Sequence, residues 1–225
     1  MEPREFHWPF SVFYSSLASF LEPGYRDLAR RMEIGEEAET LLDLGGGDGR
    51  LAVAIARRYP GLRQITSGDI SPDMTRRAQR RSDKAGLSST VSAQRVDMHA
   101  LPYEQGRFDA VVSFGTLHHA RQPAAALAEA YRVLRPGGRL CLIDGYDRPS
   151  FATLRQGVRN FGGSLAATVL YWCGSKDCLP RQQIESLVAD ANLPGIEVVF
   201  DEPLAIIQGT KERGKDDMPV QSHAG

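Results

Sequence analysis

The sequence predicts an α/β fold, an open and mostly parallel sheet with helices on both faces. Three observations carry that expectation. Five short apolar runs between Thr40 and Ile143 alternate with helical segments, the pattern of parallel strands joined by right-handed crossovers. The fourth run is continuously apolar at Val111-Val112, as a strand buried on both faces requires. Beyond residue 195, two further runs are joined only by Asp201-Glu202-Pro203, a link that folds them into an antiparallel hairpin.

Residues 1–38 read as an N-terminal helical cap rich in aromatics, including Phe6, Trp8, Phe10, Phe13 and Tyr14. Their spacing suits an amphipathic helix over Val12–Leu21 and a short one over Leu28–Met32, separated by Pro23-Gly24. Strand 1 is Thr40–Leu44, followed by a helix from Arg50 to about Tyr59 that Pro60-Gly61 ends. Strand 2 is Gln64–Asp69. Ser71 then caps a helix running from Pro72 to near Gly86, with proline where its missing N–H costs nothing. Strands 3 and 4 are Thr90–Val96 and Phe108–Phe114. Pro123 opens an alanine-rich helix through Leu134, stopped by Pro136-Gly137-Gly138, and strand 5 is Arg139–Ile143. Residues 151–175 form an apolar insertion that reads as a lid. A helix at Arg181–Ala191 and strands Ile196–Phe200 and Leu204–Gly209 complete a domain over 39–210, and 211–225 is a polar tail.

The chain's 225 residues carry a net charge of -1, so no broad positive field invites nucleic acid. Basic residues cluster locally at Arg57-Arg58, Arg76-Arg77 and Arg80-Arg81, with Asp73 and Asp83 beside the latter two, which reads as a solvated helix face. No apolar run is long enough to cross a membrane, and with no basic stretch followed by a clean apolar one at the N-terminus a secretory signal is not expected. Three cysteines, Cys141, Cys173 and Cys178, build no disulfide framework and lack partners for a metal, which points to the cytoplasm and to no metal site.

The chemistry concentrates at the carboxyl ends of the strands, where ligands sit in open α/β sheets. Strand 1 runs through Asp43 into Gly45-Gly46-Gly47-Asp48-Gly49. Alternating glycines permit a tight turn and close approach of a ligand to the main chain. Arg50 stands where a dinucleotide fingerprint needs a small residue, and the loop lacks that fingerprint's third, helix-packing glycine. Asp69 ends strand 2, twenty-four positions past Gly45, where a carboxylate can take both ribose hydroxyls. Asp97 follows strand 3.

Asp43-Leu-Gly-Gly-Gly-Asp-Gly49 resembles motif I of the class I S-adenosylmethionine-dependent methyltransferases. Gly68-Asp69-Ile70-Ser71-Pro72-Asp73-Met74 is similar to that family's second motif, and Asp97-Met98 through Phe108-Asp109 to its third and fourth. The resemblance covers about residues 38–145. It implies a Rossmann-like, seven-stranded, mostly parallel sheet in the order 3-2-1-4-5-7-6, strand 7 antiparallel. It also implies S-adenosylmethionine as cofactor, with S-adenosylhomocysteine as product. The cofactor-binding residues would be Asp43 near the methionine amino group, Gly45, Gly46 and Gly47 around the methionine tail, and Asp69 on the ribose. Ile70 would pack on the adenine with Met74 nearby, Asp97 and the Met98 amide would bind the adenine edge, and Phe114 would flank the site.

For the transfer itself, the loop after strand 4 offers His118 and His119 as candidate bases. His7, Tyr14 and Tyr171 are weaker candidates. The family's nucleic-acid amino-methylating motif is absent, since Ser113-Phe114-Gly115-Thr116 stands in its place. The aromatic cap and the apolar insertion suggest a lidded pocket for a small, apolar or aromatic acceptor, as in ubiquinone/menaquinone-type methyltransferases. Either segment equally suits a dimer face or a peripheral membrane contact, and the oligomeric state stays open. Two other readings compete: a non-catalytic cofactor-binding partner subunit, and a nicotinamide-dependent oxidoreductase, which Arg50 disfavours.

Overall fold

The computed structural model describes residues 22–147 and 178–213. The helix expected over Val12–Leu21, the 151–175 insertion, Cys173 and most of the polar tail lie outside the described residues, as do His7, Tyr14 and Tyr171.

The described elements are α1 (Glu22–Arg31), β1 (Thr40–Leu44), α2 (Arg50–Arg58), β2 (Gln64–Asp69), α3 (Pro72–Lys84), β3 (Val91–Arg95) and β4 (Phe108–Phe114). A single 3₁₀ turn at Leu117–His119 precedes α4 (Pro123–Val133), β5 (Leu134–Gly145), α5 (Arg181–Ala191), β6 (Ile196–Asp201) and β7 (Leu204–Thr210). The seven strands form one sheet in the order β3-β2-β1-β4-β5-β7-β6. β7 runs antiparallel to both neighbours, and the other pairings are parallel. The expected topology is the observed one.

Strand periodicity divides the core between the two faces. Leu41, Ala110, Val112, Cys141 and Ile143 point to one side, where Leu28, Ala29 and Met32 of α1 and Leu51, Ala52 and Ile55 of α2 cover them. Leu42, Leu44, Val111, Leu140 and Leu142 point to the other, under Ala126, Leu127 and Ala130 of α4 and Ile184 of α5. Register explains the alternation: Leu41 pairs with Ile65 and with Ala110, so like-facing residues stack across three strands. Because Leu28, Ala29, Met32 and Ile34 share a core with β1, the described part of the N-terminal segment belongs to the packing of the domain.

Three local expectations change. The helix expected over Leu28–Met32 starts earlier, at Glu22, so Pro23 and Gly24 fall in the first turn of α1, where proline's missing N–H has no helical acceptor to lose. β5 begins at Leu134 rather than Arg139. Leu134 pairs with Phe108 and Arg139 with Ala110, so Arg135 to Gly138 form a bulge between two paired stretches of one strand. Finally, a helix-packing glycine is present after all. Gly49 has φ +79°, and a Cβ there would lie 2.9 Å from Ala78 Cα, so this glycine lets α2 start against α3.

Candidate active site

Two groups of residues meet at the carboxyl edge of the sheet, one on β1, β2 and the loop after β3, the other on β4 and β5. The glycine loop is pinned to the end of β2. The Gly45 and Gly46 amides both donate to the Gly68 carbonyl, at 2.8 and 3.0 Å. The Gly47 amide donates to Asp69 Oδ2 at 3.0 Å, while Asp69 Oδ1 accepts from the Ser71 amide at 2.8 Å. Asp69 therefore organises the loop and the start of α3 together. Burial raises its pKa, against the pull of those two amides.

The three glycines have different reasons to be glycine. A Cβ on Gly45 would overlap the Thr116 side chain, and one on Gly46 would overlap the Ser67 hydroxyl and sit 2.7 Å from Asp43 Oδ2. Those positions are closed by the protein's own packing. Gly47, at φ +53°, has no atom within 4 Å of a Cβ; its side is open.

Beneath this loop lies Asp43, with no exposed surface. Neither carboxylate oxygen has a hydrogen-bond partner, and the neighbouring Ser67 hydroxyl lacks one too. Burial foremost, then the charge of Asp69, pushes the Asp43 pKa up to about 7. The Ala52 amide pulls weakly the other way without reaching hydrogen-bond geometry. An unpartnered acid in this position fits a ligand that brings a positive charge to the loop.

Ile70 is exposed beside Asp69, an apolar surface available to a flat ring. Met74 is buried on the inner face of α3, its amide donating to the Ser71 hydroxyl at 3.4 Å. Asp97 Oδ1 accepts from the His99 amide at 2.9 Å and pairs with His99 Nδ1 at 2.6 Å. The amide contact is the main reason its pKa falls. Met98 packs half-buried against the α4 side of the core. Phe114 meets Tyr25 of α1 edge-on, with ring centroids 6.1 Å apart, which brings α1 to the end of β4. Asp109, part of the fourth motif, serves the opposite edge: its Oδ2 accepts from the Glu39 and Thr40 amides at 2.8 and 2.7 Å.

On the other half, His118 Nδ1 lies 2.6 Å from Asp144 Oδ1, and the His118 amide donates to Asp144 Oδ2 at 3.1 Å. The Gly145 amide also donates to Oδ1, at 2.8 Å. The His118 and Asp144 side chains are 8% and 9% exposed, so this is an enclosed pair. A carboxylate on Nδ1 holds the proton there and leaves Nε2 as the basic atom. The His119 ring lies against that of His118, centroids 3.9 Å apart and tilted by 48°, and His119 is itself exposed. Thr116 joins the two halves, its hydroxyl lying 3.2 Å from the Gly45 carbonyl and 3.1 Å from that of Phe114.

Sequence reasoning missed Asp144, Thr116 and His99. Asp144 had a usable signal, because it ends a strand as Asp43 and Asp69 do. The basic run on α3 also proves less uniform than a solvated face. Arg81 donates to Asp48 Oδ2 at 2.7 Å and to its carbonyl at 2.9 Å, and Arg50 shares the same carboxylate at 3.1 Å. Among the described residues no cluster suited to a metal ion occurs, and no helix is long and apolar enough to cross a membrane.

Comparison with known proteins follows the same lines. Residues 42–142 match the family described as the methyltransferase domain. The chain is 27% identical over 168 residues to a 2-phytyl-1,4-naphtoquinone methyltransferase of Nostoc punctiforme, covering 73% of each protein. It is 36% identical over 121 residues to a demethylmenaquinone methyltransferase of Thermus thermophilus, covering 53% of each. It spans about half or less of the length of the other curated relatives it matches. A crystal structure of a Methanococcus maripaludis protein assigned as an S-adenosyl-L-methionine-dependent methyltransferase superposes with a TM-score of 0.77. That pair is 19% identical over 96% of this chain and 98% of the other, so it speaks to the fold. Residues 42–142 match the methyltransferase domain, and the sheet has the strand order that the resemblance to class I S-adenosylmethionine-dependent methyltransferases implies.

Proposed function

We propose that the protein methylates a small, quinone-like aromatic acceptor, using S-adenosylmethionine as donor. The observation that carries this reading is the Thr116 contact to the Gly45 carbonyl, since it ties a donor-binding loop to a histidine–carboxylate pair on one edge. The bound cofactor supplies an electrophilic methyl on a positively charged sulfur. The protein's part is alignment, exclusion of water and handling of one acceptor proton.

On the donor side, the Gly45–Gly47 backbone receives the amino-acid tail, Gly47 giving it the close approach. Asp43 stabilises the tail's ammonium by charge from beneath the loop. Asp69 takes the ribose hydroxyls with the lone pairs its two amide contacts leave over, while Ile70 covers one face of the adenine and Asp97 with the Met98 amide its edge. Phe114 flanks the site. On the acceptor side, His118 Nε2 takes the proton that the acceptor's hydroxyl or ring carbon loses when its bond to the methyl replaces the methyl–sulfur bond, and Asp144 is a positioning residue that keeps Nδ1 protonated. His119 stands beside it as the alternative base. The quinone class is suggested by the names of two relatives.

The test is transfer of labelled methyl from S-adenosylmethionine to a panel of reduced naphthoquinones and simple phenols. Product with the quinone series that His118→Ala sharply reduces is the expected result. Intact S-adenosylhomocysteine binding with no product across the panel would sink the quinone assignment.

A further inference from the structure

A second concave site lies outside the crevice. A groove of about 350 Å³ runs over α2 between α1 and the end of α3. Its walls carry Arg26 and Arg30 from α1, Arg50, Arg57 and Arg58 from α2, and Arg81 and Lys84 from α3, with no carboxylate among the lining residues. Seven cations thus share one concavity in a chain whose net charge is -1. Among the described residues, Asp48 holds Arg50 and Arg81 together from outside the lining, and Asp27 pairs with Arg30 at 3.2 Å. Arg57, Arg58 and Lys84 have no carboxylate within ion-pair distance among the described residues, and all three are exposed. Arg58 instead lies over the Tyr59 ring, 4.8 Å from its centroid.

Helix dipoles explain part of this arrangement. Cations in the last turn of α1, α2 and α3 each complement the partial negative charge of their own helix end. That preference acts on each helix separately and does not require three basic ends to converge. Arginine is this chain's usual cation, so residue choice is not the signal; the convergence is. Positive charges crowded into a groove with low-dielectric walls repel one another and focus a field that an anion relieves.

We propose that the α1–α2–α3 groove is an anion site that takes a phosphate group. Guanidinium forks match phosphate oxygens in pairs. Arg57, Arg58 and Lys84 supply the free contacts, and the pairing of half-buried Arg81 with buried Asp48 and Arg50 fixes one wall. The phosphate belongs either to a soluble ligand or to the head group of an anionic lipid. The inference stands independently of the methyl acceptor.

The test uses the full chain. Inorganic pyrophosphate is titrated by calorimetry at low salt, and co-sedimentation is measured with vesicles of phosphatidylcholine alone or mixed with phosphatidylglycerol. Binding of pyrophosphate without vesicle binding supports the site with a soluble ligand as its source. Co-sedimentation confined to phosphatidylglycerol vesicles supports it with a lipid head group. In either case Arg57→Glu combined with Arg58→Glu and Lys84→Glu should weaken the interaction about tenfold or more, the scale of one lost charged contact. S-adenosylhomocysteine affinity should stay unchanged in the same variant. Arg57→Gln with Arg58→Gln gives a milder second variant should the charge reversal disturb folding. No binding of either probe, or binding undiminished in the variants, overturns the proposal.

Discussion

The proposed donor and acceptor halves of the crevice face each other across Thr116 but are built in opposite ways. The donor half leaves polar capacity unspent: Asp43 and Ser67 are buried without partners, and Gly47 is open on the side a ligand would approach. On the acceptor half, Asp144 is occupied three times, by the His118 ring, the His118 amide and the Gly145 amide. The contrast follows from what each must do. A binding site for a charged ligand can hold groups that the ligand completes, whereas a base must be oriented before its partner arrives. The donor half is thus specified by its backbone and acids, and the acceptor half by one pre-formed pair.

This division can be broken at five residues. The largest effect is expected from His118→Ala, which should lower kcat by about 10²–10⁴, the usual range for general acid–base catalysis, with S-adenosylhomocysteine affinity unchanged. Asp144→Asn should lower kcat less and alter the pH profile of kcat, as expected of a residue acting through His118. A shift in cofactor affinity in either variant would mean that the halves are not separate.

Next is Gly47→Val, expected to weaken S-adenosylhomocysteine binding about a hundredfold by occupying the open side of the loop. The fold should survive, because no atom stands in the way and the strained backbone costs only about 1–2 kcal/mol. Calorimetry and a melting curve on the same sample check both outcomes; unaltered binding would remove Gly47 from the crevice. Asp69→Ala should then cost about 2–3 kcal/mol of cofactor affinity, the scale for a charged hydrogen-bond partner. Part of that loss would come from releasing the Gly47 amide.

The smallest effect is a change of slope. With its pKa near 7, Asp43 is partly protonated at neutral pH in the free protein. A bound ammonium favours the ionised form, so cofactor affinity should rise as pH increases through 7 and a proton should be released on binding. Calorimetry in buffers of different ionisation enthalpy counts that proton. Stability of the free protein should run the other way. A folded-state pKa above the unfolded value stabilises at acid pH, and the benefit is lost as pH rises through about 7. Asp43→Asn should flatten both dependences; slopes that persist would assign them to another group.

Much of the proposed donor half was legible because its signals are local. Glycine spacing, an acid at the end of each of the first two strands, and Ser71-Pro72 as a helix start all act within a few residues. The same locality misled at Pro136-Gly137-Gly138. Those residues signal a turn, yet pairing of Leu134 with Phe108 keeps the flanking chain in the sheet. Gly49 was overlooked as a packing glycine because its reason is Ala78, a residue on the next helix but one strand away in sequence.

By itself, then, the sequence determined the order of elements, the position of the glycine loop and the apolar patterning that sorts each strand between two faces, since period and spacing are properties of the chain. Tertiary structure alone decided that Asp144 stands behind His118, twenty-six residues away, and that Thr116 reaches back seventy-one residues to Gly45. It also gathered arginines from three helices into one groove of a nearly neutral chain. The physical reason is common to all three: contacts between distant residues depend on strand register and helix crossing. A local pattern of residue types constrains those only after the whole sheet has closed.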